Sequence, residues 1–161
     1  MAAALDNTRL GNLPLVLSGI AAEQRASELL QSFPHMRGRV HAAGFTDVEL
    51  ALAYRYALAV VIPSRIEGFG LPAIEVMALG GVPLIADVRG LQEAGAEAAF
   101  RFSPDQPLQL SSLLELLIDP IVGPWLRATL RRRAQSRLQR LNPDLIGLAL
   151  LAQARQIAQK A

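Results

Sequence analysis

The chain contains 161 residues, about the length of one domain, so a cleft between two large domains cannot be complete within it. Hydrophobic residues make up 52% of the sequence and charged residues 19%, which is typical of a folded domain and excludes a disordered one. Cysteine is absent and the two histidines lie six positions apart, so disulfides are excluded and a protein-bound metal is not expected.

The sequence shows neither a secretory signal nor a membrane span. No apolar run reaches the roughly 18 residues that a span requires, and residues 1–20 lack a charged segment followed by an apolar core. We therefore expect a cytoplasmic protein, with a peripheral position at the inner membrane face as the alternative.

Short apolar runs alternate with segments of helical periodicity in the first two thirds of the chain. The runs predict five strands, at 13–18, 39–43, 58–62, 83–86 and 99–102. The segments between them predict helices over about 20–33, 47–57, which Asp47 can open, and 72–79. This order predicts an α/β fold, namely a Rossmann-like, doubly wound, mostly parallel sheet of about five strands with ligands at the carboxyl ends of the strands.

From Pro107 onward the periodicity is helical only. It predicts helices at 107–118, 122–141 and 143–159, which together form a helical C-terminal segment over 107–160. The connections are too short to be linkers, so residues 1–161 are expected to form one domain.

Arginine accounts for fifteen of the sixteen basic residues, and six arginines lie in the acid-free stretch 125–140. They are Arg127, Arg131, Arg132, Arg133, Arg137 and Arg140. Leucine and alanine recur there at helical spacing, which predicts an amphipathic helix with a cationic face. The first interpretation is a solvated face of a helix packed on the domain. Contact with an anionic membrane surface is the second, and nucleic acid binding is not expected.

Residues 63–83 predict a phosphate site. A buried strand is followed by a glycine-bearing turn and then by a helix that begins at Pro72. Amide groups just before a helix are free, and the positive end of the helix dipole favours an anion there. The amides concerned belong to Phe69, Gly70 and Leu71.

Two carboxylates flank this turn. Glu67 lies in the loop and Glu75 is expected in the first turn of the helix, where both can reach ligand hydroxyl groups. Phosphate and hydroxyl groups together are found in a nucleotide sugar. Each acid also has an ordinary explanation, because the helix dipole alone favours acids near a helix start and loop glutamates are usually solvated.

Two further side chains lie near the predicted ligand edge. Arg65 could supply a cation to the phosphate, although a solvated loop arginine is the commoner case. Phe45 follows a predicted strand and could line a nucleobase site, although a core aromatic is the commoner case.

The order P-S-x-x-E-G-F-G-L-P-x-x-E-x-M-A-x-G-x-x-P over residues 63–83 resembles the signature of the family-four retaining glycosyltransferases. Segments at 15–19, 40–50 and 90–93 resemble the family as well, so the resemblance extends over about residues 1–120. It implies the GT-B fold, in which two Rossmann-like domains enclose a cleft. Only the C-terminal, donor-binding domain of that fold is matched.

The resemblance also implies roles for the residues of the turn. Glu67 is the candidate catalytic residue and holds a hydroxyl of the transferred sugar, and Glu75 holds the ribose hydroxyls. The amides of residues 69–71 bind the diphosphate, with Arg65 as a further donor-binding candidate. Transfer in the family retains the anomeric configuration and usually needs neither a metal nor a cofactor.

By this resemblance the chain is the donor-binding half of a glycosyltransferase of polysaccharide biosynthesis, with a nucleotide sugar as substrate. An N-terminal glycosyltransferase half or a second copy of the chain is the expected partner. The alternative is a non-catalytic nucleotide-binding or partner module derived from such an enzyme. The family's first strand, which ends in Gly-Arg, and the lysine after it have no counterpart, so the chain alone is expected to be inactive.

The family's strand order, 3-2-1-4-5-6, makes that unmatched first strand a central one. The strands at 13–18 and 58–62 are therefore expected to close up and pair directly, because unpaired backbone groups in a sheet centre are costly. A strand supplied by another chain is the alternative.

Overall fold

Five short parallel strands alternate with helices in the computed structural model, which describes residues 8–141. The strands are β1 (Leu15–Ser18), β2 (Val40–Ala43), β3 (Val60–Ile62), β4 (Pro83–Ala86) and β5 (Phe100–Phe102). The helices are α1 (Ala22–Ser32), α2 (Asp47–Tyr56), α3 (Leu71–Ala78), α4 (Arg89–Gly95), α5 (Pro107–Ile118) and α6 (Val122–Arg140). The predicted α/β class is confirmed, and the helix predicted at 143–159 lies outside the described residues.

The strands form two sheets rather than one. β1 pairs with β2, and β3, β4 and β5 form a second sheet in that order. β1 and β3 are not hydrogen-bonded to each other, so the prediction that they close up and pair directly is wrong. Val16 in β1 is 48% exposed, which agrees with an open sheet edge.

Residues outside the strands hold the first sheet in place. Leu10 is fully buried, and the Arg39 guanidinium donates to the main-chain carbonyl of Leu10 at 2.8 Å. Arg9 forms an ion pair with Glu115 of α5 at 3.3 Å. Residues 8–13 therefore link the β1–β2 unit to α5.

The core lies around β4. All four residues of this strand are buried, as expected for a central strand of a parallel sheet that is covered on both faces. α3 packs its buried residues Ala73, Ile74, Val76 and Met77 into the same hydrophobic cluster. α6 contributes Leu130 and Ala134.

α2 begins with a capping box. The helix begins at Asp47 as predicted, and Thr46 is its N-cap, because the Thr46 hydroxyl accepts the Glu49 amide at 3.4 Å. The Glu49 carboxylate in turn accepts the Thr46 amide at 2.9 Å. The hydrogen bonds from the Thr46 amide and hydroxyl lower the pKa of Glu49.

The arginines of α6 bind main-chain carbonyls of other elements. Four of the six do so, each near the C-terminal end of a helix or turn, where carbonyls lack a partner within the helix. The bonds run from Arg127 to Leu117, from Arg131 to Gly80, from Arg133 to Glu97 and from Arg137 to Glu93 and Ala94. The helix packs on the domain as predicted, but much of its cationic face is used inside the protein.

The two remaining arginines of this stretch make other contacts. Arg140 forms an ion pair with the Glu97 carboxylate, and Arg132 donates to the Thr129 hydroxyl at 3.3 Å. A membrane contact of this face stays a prediction. Among the described helices, none is both long and apolar enough to cross a membrane.

Replacement of Thr46 by alanine is expected to lower the free energy of unfolding by about 1 kcal/mol, because the capping box loses its hydroxyl acceptor. Urea denaturation measures this loss. Thr129→Ala is the matched control, since Thr129 lies inside α6, where alanine is the better helix former. Equal stability of the two variants would contradict the role of the cap.

Asp119 generates a pH-dependent prediction. Its carboxylate accepts the amides of Val122 and Ile121, both at 2.8 Å, and these bonds hold the pKa of Asp119 below its ordinary value of 3.8. A lowered pKa in the folded state stabilises the fold above the ordinary value and ceases to do so as the pH falls through the lowered one. Asp119→Asn should therefore be less stable at neutral pH and lose less stability on acidification. Urea denaturation at several pH values checks this, and parallel pH profiles for the two proteins would contradict it.

Candidate functional site

The start of α3 carries free amide groups. The helix begins at Leu71, and its N-cap Gly70 has a left-handed backbone with φ of 77°. The Ala73 amide donates to the Gly70 carbonyl at 3.0 Å, whereas Pro72 has no N–H. Within residues 8–141 the amides of Phe69, Gly70 and Leu71 have no hydrogen-bond partner. Three donors therefore lie at the positive end of the α3 dipole, where the sequence predicted a phosphate.

The loop before α3 packs closely on α4, a helix that the sequence did not predict. A Cβ atom on Gly90 would collide with the carbonyls of Glu67 and Gly68. A Cβ atom on Gly70 would lie 2.8 Å from the Ala94 Cβ and 2.9 Å from the Gly90 carbonyl oxygen. Only glycines permit this approach, so α4 sets the backbone path of the loop.

A cavity of about 370 Å³ lies at the carboxyl ends of β1 and β2. Ser18 is the last residue of β1, and Gly44 directly follows β2. This is the edge at which parallel α/β sheets bind their ligands. The lining residues are Ser18, Gly19, Gly44, Phe45, Leu50 and Tyr54.

Tyr54 connects this cavity with α3. Burial of its phenol and, second, the negative charge of the nearby Glu75 raise the pKa of Tyr54. Glu75 is therefore close to a residue of the cavity wall. It is the fifth residue of α3 and does not lie in the first turn as predicted, because the helix already begins at Leu71.

The two remaining candidates lie on the loop between β3 and α3. Glu67 is partly buried, and it forms no ion pair within the part of the chain that the structure describes. Arg65 pairs with Asp105 at 2.7 Å, and both side chains are mostly exposed. The positive charge of Arg65 is thus already shared with an acid.

Sequence reasoning misses part of the cavity wall. Tyr54 was not predicted as a site residue. A core position was favoured for Phe45, although Phe45 lines the cavity. A signal is present, since Leu50 and Tyr54 are four residues apart and so lie on the same side of α2. Gly44 and Phe45 directly follow a strand, which places them at the ligand edge.

Residues 8–141 contain no cluster of three or more histidine or acidic side chains that could hold a metal ion. The cavity and the loop present main-chain amides, the carboxylates of Glu67 and Glu75 and aromatic rings.

Comparisons with known proteins show similarity to glycosyltransferases. The sequence profile of the family described as Glycosyl transferases group 1 matches residues 1–137. The chain is 42% identical over 74 residues to D-inositol 3-phosphate glycosyltransferase 1 of Catenulispora acidiphila, which covers 44% of this chain and 18% of that protein. It is 31% identical over 106 residues to the serotype-specific mannosyltransferase WbdA of Escherichia coli, which covers 63% of this chain and 13% of that protein.

Solved structures show the same relationship. The fold is similar to that of sucrose-phosphate synthase from Thermosynechococcus elongatus, with a TM-score of 0.68 and 29% identity over 99% of this chain and 42% of that one. It is also similar to TarM, with a TM-score of 0.69 over 94% of this chain and 30% of that one. The identity to TarM is 14%, so this likeness concerns the fold alone.

The chain spans less than half the length of each of these four proteins. The family profile, in contrast, covers most of the chain and includes the loop, α3 and the cavity wall. The chain therefore belongs to the family of glycosyl transferases group 1.

Proposed function

We propose that this chain is the donor-binding half of a family-four retaining glycosyltransferase that uses a nucleotide-diphosphate sugar. In this proposal the chain corresponds to the C-terminal domain of a GT-B enzyme. The observation that carries it is the combination of three free amides at the start of α3 with a cavity at the carboxyl ends of β1 and β2. Glu75, on the helix that follows the amides, lies near Tyr54 of the cavity wall.

The diphosphate binds at the amides of residues 69–71. An anion there gains hydrogen bonds from donors that have no other partner among the described residues, and it gains the favourable end of the α3 dipole. Gly68 is exposed, and even a Cβ atom added to it would meet no heavy atom within 4 Å, so a ligand can approach its backbone closely.

The nucleoside occupies the cavity. The ring of Phe45 offers an apolar surface to the base, and Ser18 and the two glycines of the wall allow polar main-chain contacts. Glu75, close to Tyr54, accepts hydrogen bonds from the ribose hydroxyls. A carboxylate suits this role because it can accept two hydroxyl donors at once.

Glu67 acts on the transferred sugar. In glycosyl transfer the bond between the anomeric carbon and the diphosphate oxygen breaks, and the acceptor oxygen forms the new bond to that carbon. Negative charge grows on the leaving diphosphate, and the amides at 69–71 stabilise that charge. Glu67 accepts a sugar hydroxyl and so holds the anomeric carbon over the diphosphate.

The acceptor binds outside this chain in our proposal. An N-terminal half, or a second copy of the chain, supplies the other wall of the cleft and excludes water from the reacting centre. If the chain binds nucleotides but transfers no sugar with any partner, the alternative of a non-catalytic nucleotide-binding module takes its place. The proposed location is cytoplasmic.

The isolated chain is expected to bind UDP, GDP or ADP only weakly, with a Kd no tighter than micromolar. The amides and Glu75 are present, but the charge of Arg65 is shared with Asp105. Glu75→Gln should weaken binding roughly ten- to hundredfold, because a charge-assisted hydrogen bond is lost. Calorimetric titration with the three nucleotides and their sugar conjugates measures both effects.

Glu28→Gln is the control for this titration, since Glu28 lies on α1 and bonds only to Gln24 and Ser32 among the described residues. The affinity of the Glu28→Gln variant for the nucleotides should equal that of the wild-type chain. No binding of any of the three nucleotides would contradict the proposed function, and submicromolar binding would contradict the expected weakness.

The purified chain alone is expected to transfer no sugar, because one wall of the cleft cannot position an acceptor or exclude water. Addition of an N-terminal acceptor half from a related enzyme should restore transfer, and Glu67→Ala should abolish it again. Product formation from a radiolabelled sugar donor is the measurement. Transfer by the chain without any partner protein would show that the chain is more than a donor-binding half.

A further inference from the structure

Arg137 lies on α6, away from the loop and the cavity, yet its contacts lead to the loop that binds the diphosphate. Its guanidinium donates to the Ala94 carbonyl at 3.3 Å and to the Glu93 carbonyl at 2.5 Å. These carbonyls belong to the last turn of α4, where main-chain acceptors have no donor within the helix. A permanent positive charge at this end also complements the helix dipole.

α4 is too short to be stable alone. It has seven residues, and no side chain caps its N-terminus. Its position therefore depends on packing and on bonds from other elements. Arg137 is the side chain that bonds two of its C-terminal carbonyls at the same time.

The opposite side of this contact is the loop. Gly90, Leu91 and Ala94 of α4 are all buried, and they meet the backbone of Gly70 at distances that exclude a side chain there. Gly90 also lies directly against the carbonyls of Glu67 and Gly68. A shift of α4 must therefore move the loop or open a cavity beneath it, because the backbones of the loop and of α4 are already in close contact.

We infer that Arg137 is a positioning residue for the diphosphate-binding loop, acting through the C-terminus of α4. The inference rests on the proposed function for the identity of the ligand. Arg137 itself touches no ligand. It holds α4 in position against the backbone of residues 67–70. The position of this backbone in turn sets the direction in which the amides of residues 69–71 point.

α6 offers a matched control. Arg127 also donates to a main-chain carbonyl, that of Leu117, but this carbonyl belongs to the end of α5, which lies outside the contact between α4 and the loop. Arg127→Gln and Arg137→Gln remove the same kind of bond from the same helix. If Arg137 only stabilised the fold, the two variants would affect the loop equally. If Arg137 positions the loop, only Arg137→Gln should affect it.

The experiment compares the wild-type 161-residue chain with Arg137→Gln, Arg137→Lys and Arg127→Gln. One measurement is amide hydrogen exchange at Gln92 and Ala96 of the α4 end and at Ala73, whose amide donates to the Gly70 carbonyl of the loop. The other is the affinity for UDP, GDP and ADP. Arg137→Gln should accelerate exchange at these three amides and weaken nucleotide binding by roughly tenfold, the effect of losing one charged hydrogen bond. Arg127→Gln should change neither. Arg137→Lys, which keeps the charge and can reach one carbonyl, should give intermediate values. This variant still tests the inference if Arg137→Gln fails to fold.

Unchanged exchange at Gln92, Ala96 and Ala73, or equal affinities of the two glutamine variants, would overturn the inference. A failure of the wild-type chain to bind any nucleotide would instead contradict the proposed function. In that case the exchange measurement alone decides the inference: acceleration confined to Arg137→Gln supports it, and its absence overturns it.

Discussion

The arginines of α6 bond main-chain carbonyls at the ends of three other helices and so link these helices to one another. The last carbonyls of a helix have no donor within it, and a guanidinium supplies two donors and a charge of the favourable sign. α6 provides such donors to the ends of α3, α4 and α5 through Arg131, Arg137 and Arg127. These helices have 8, 7 and 12 residues, lengths that are marginal or unstable in isolation. One long helix thus holds several short ones.

The parts of the candidate site come from different units. The free amides belong to α3 and to a loop that rests on α4, both of which pack with the second sheet. The cavity lies at the carboxyl ends of the strands of the first sheet and is also lined by α2. Within residues 8–141, no strand hydrogen bonds join the two sheets. A nucleotide that used both the amides and the cavity would contact two units that are connected through side-chain packing and loops.

The sequence predicted the features that arise from local pattern and left out those that arise from tertiary contacts. The apolar runs around β3 and β4 and the turn before α3 are predictable because strand burial and glycine placement are local. α4 was missed because its N-cap is Val88 without a side-chain bond, so no start signal precedes it. The separation of the sheets was not predicted, because no local pattern determines which strands pair. In the site, the free amides followed from the turn, whereas Glu75 lies one position deeper in the helix than predicted, and Tyr54 was missed because only packing brings it near Glu75.

The long reach of the α6 bonds also bears on how the chain acquires its structure during synthesis. Arg131 bonds a carbonyl 51 residues earlier in the chain, and Arg137 bonds carbonyls 43 and 44 residues earlier. The helices that receive these bonds leave the ribosome well before the arginines that stabilise them, since domains are made from the N-terminus onward. Until α6 has emerged, the carbonyls at the ends of α3, α4 and α5 lack these donors. The bonds that hold the end of α4, on which the loop before α3 rests, can therefore form only late in synthesis, although the loop lies in the middle of the sequence.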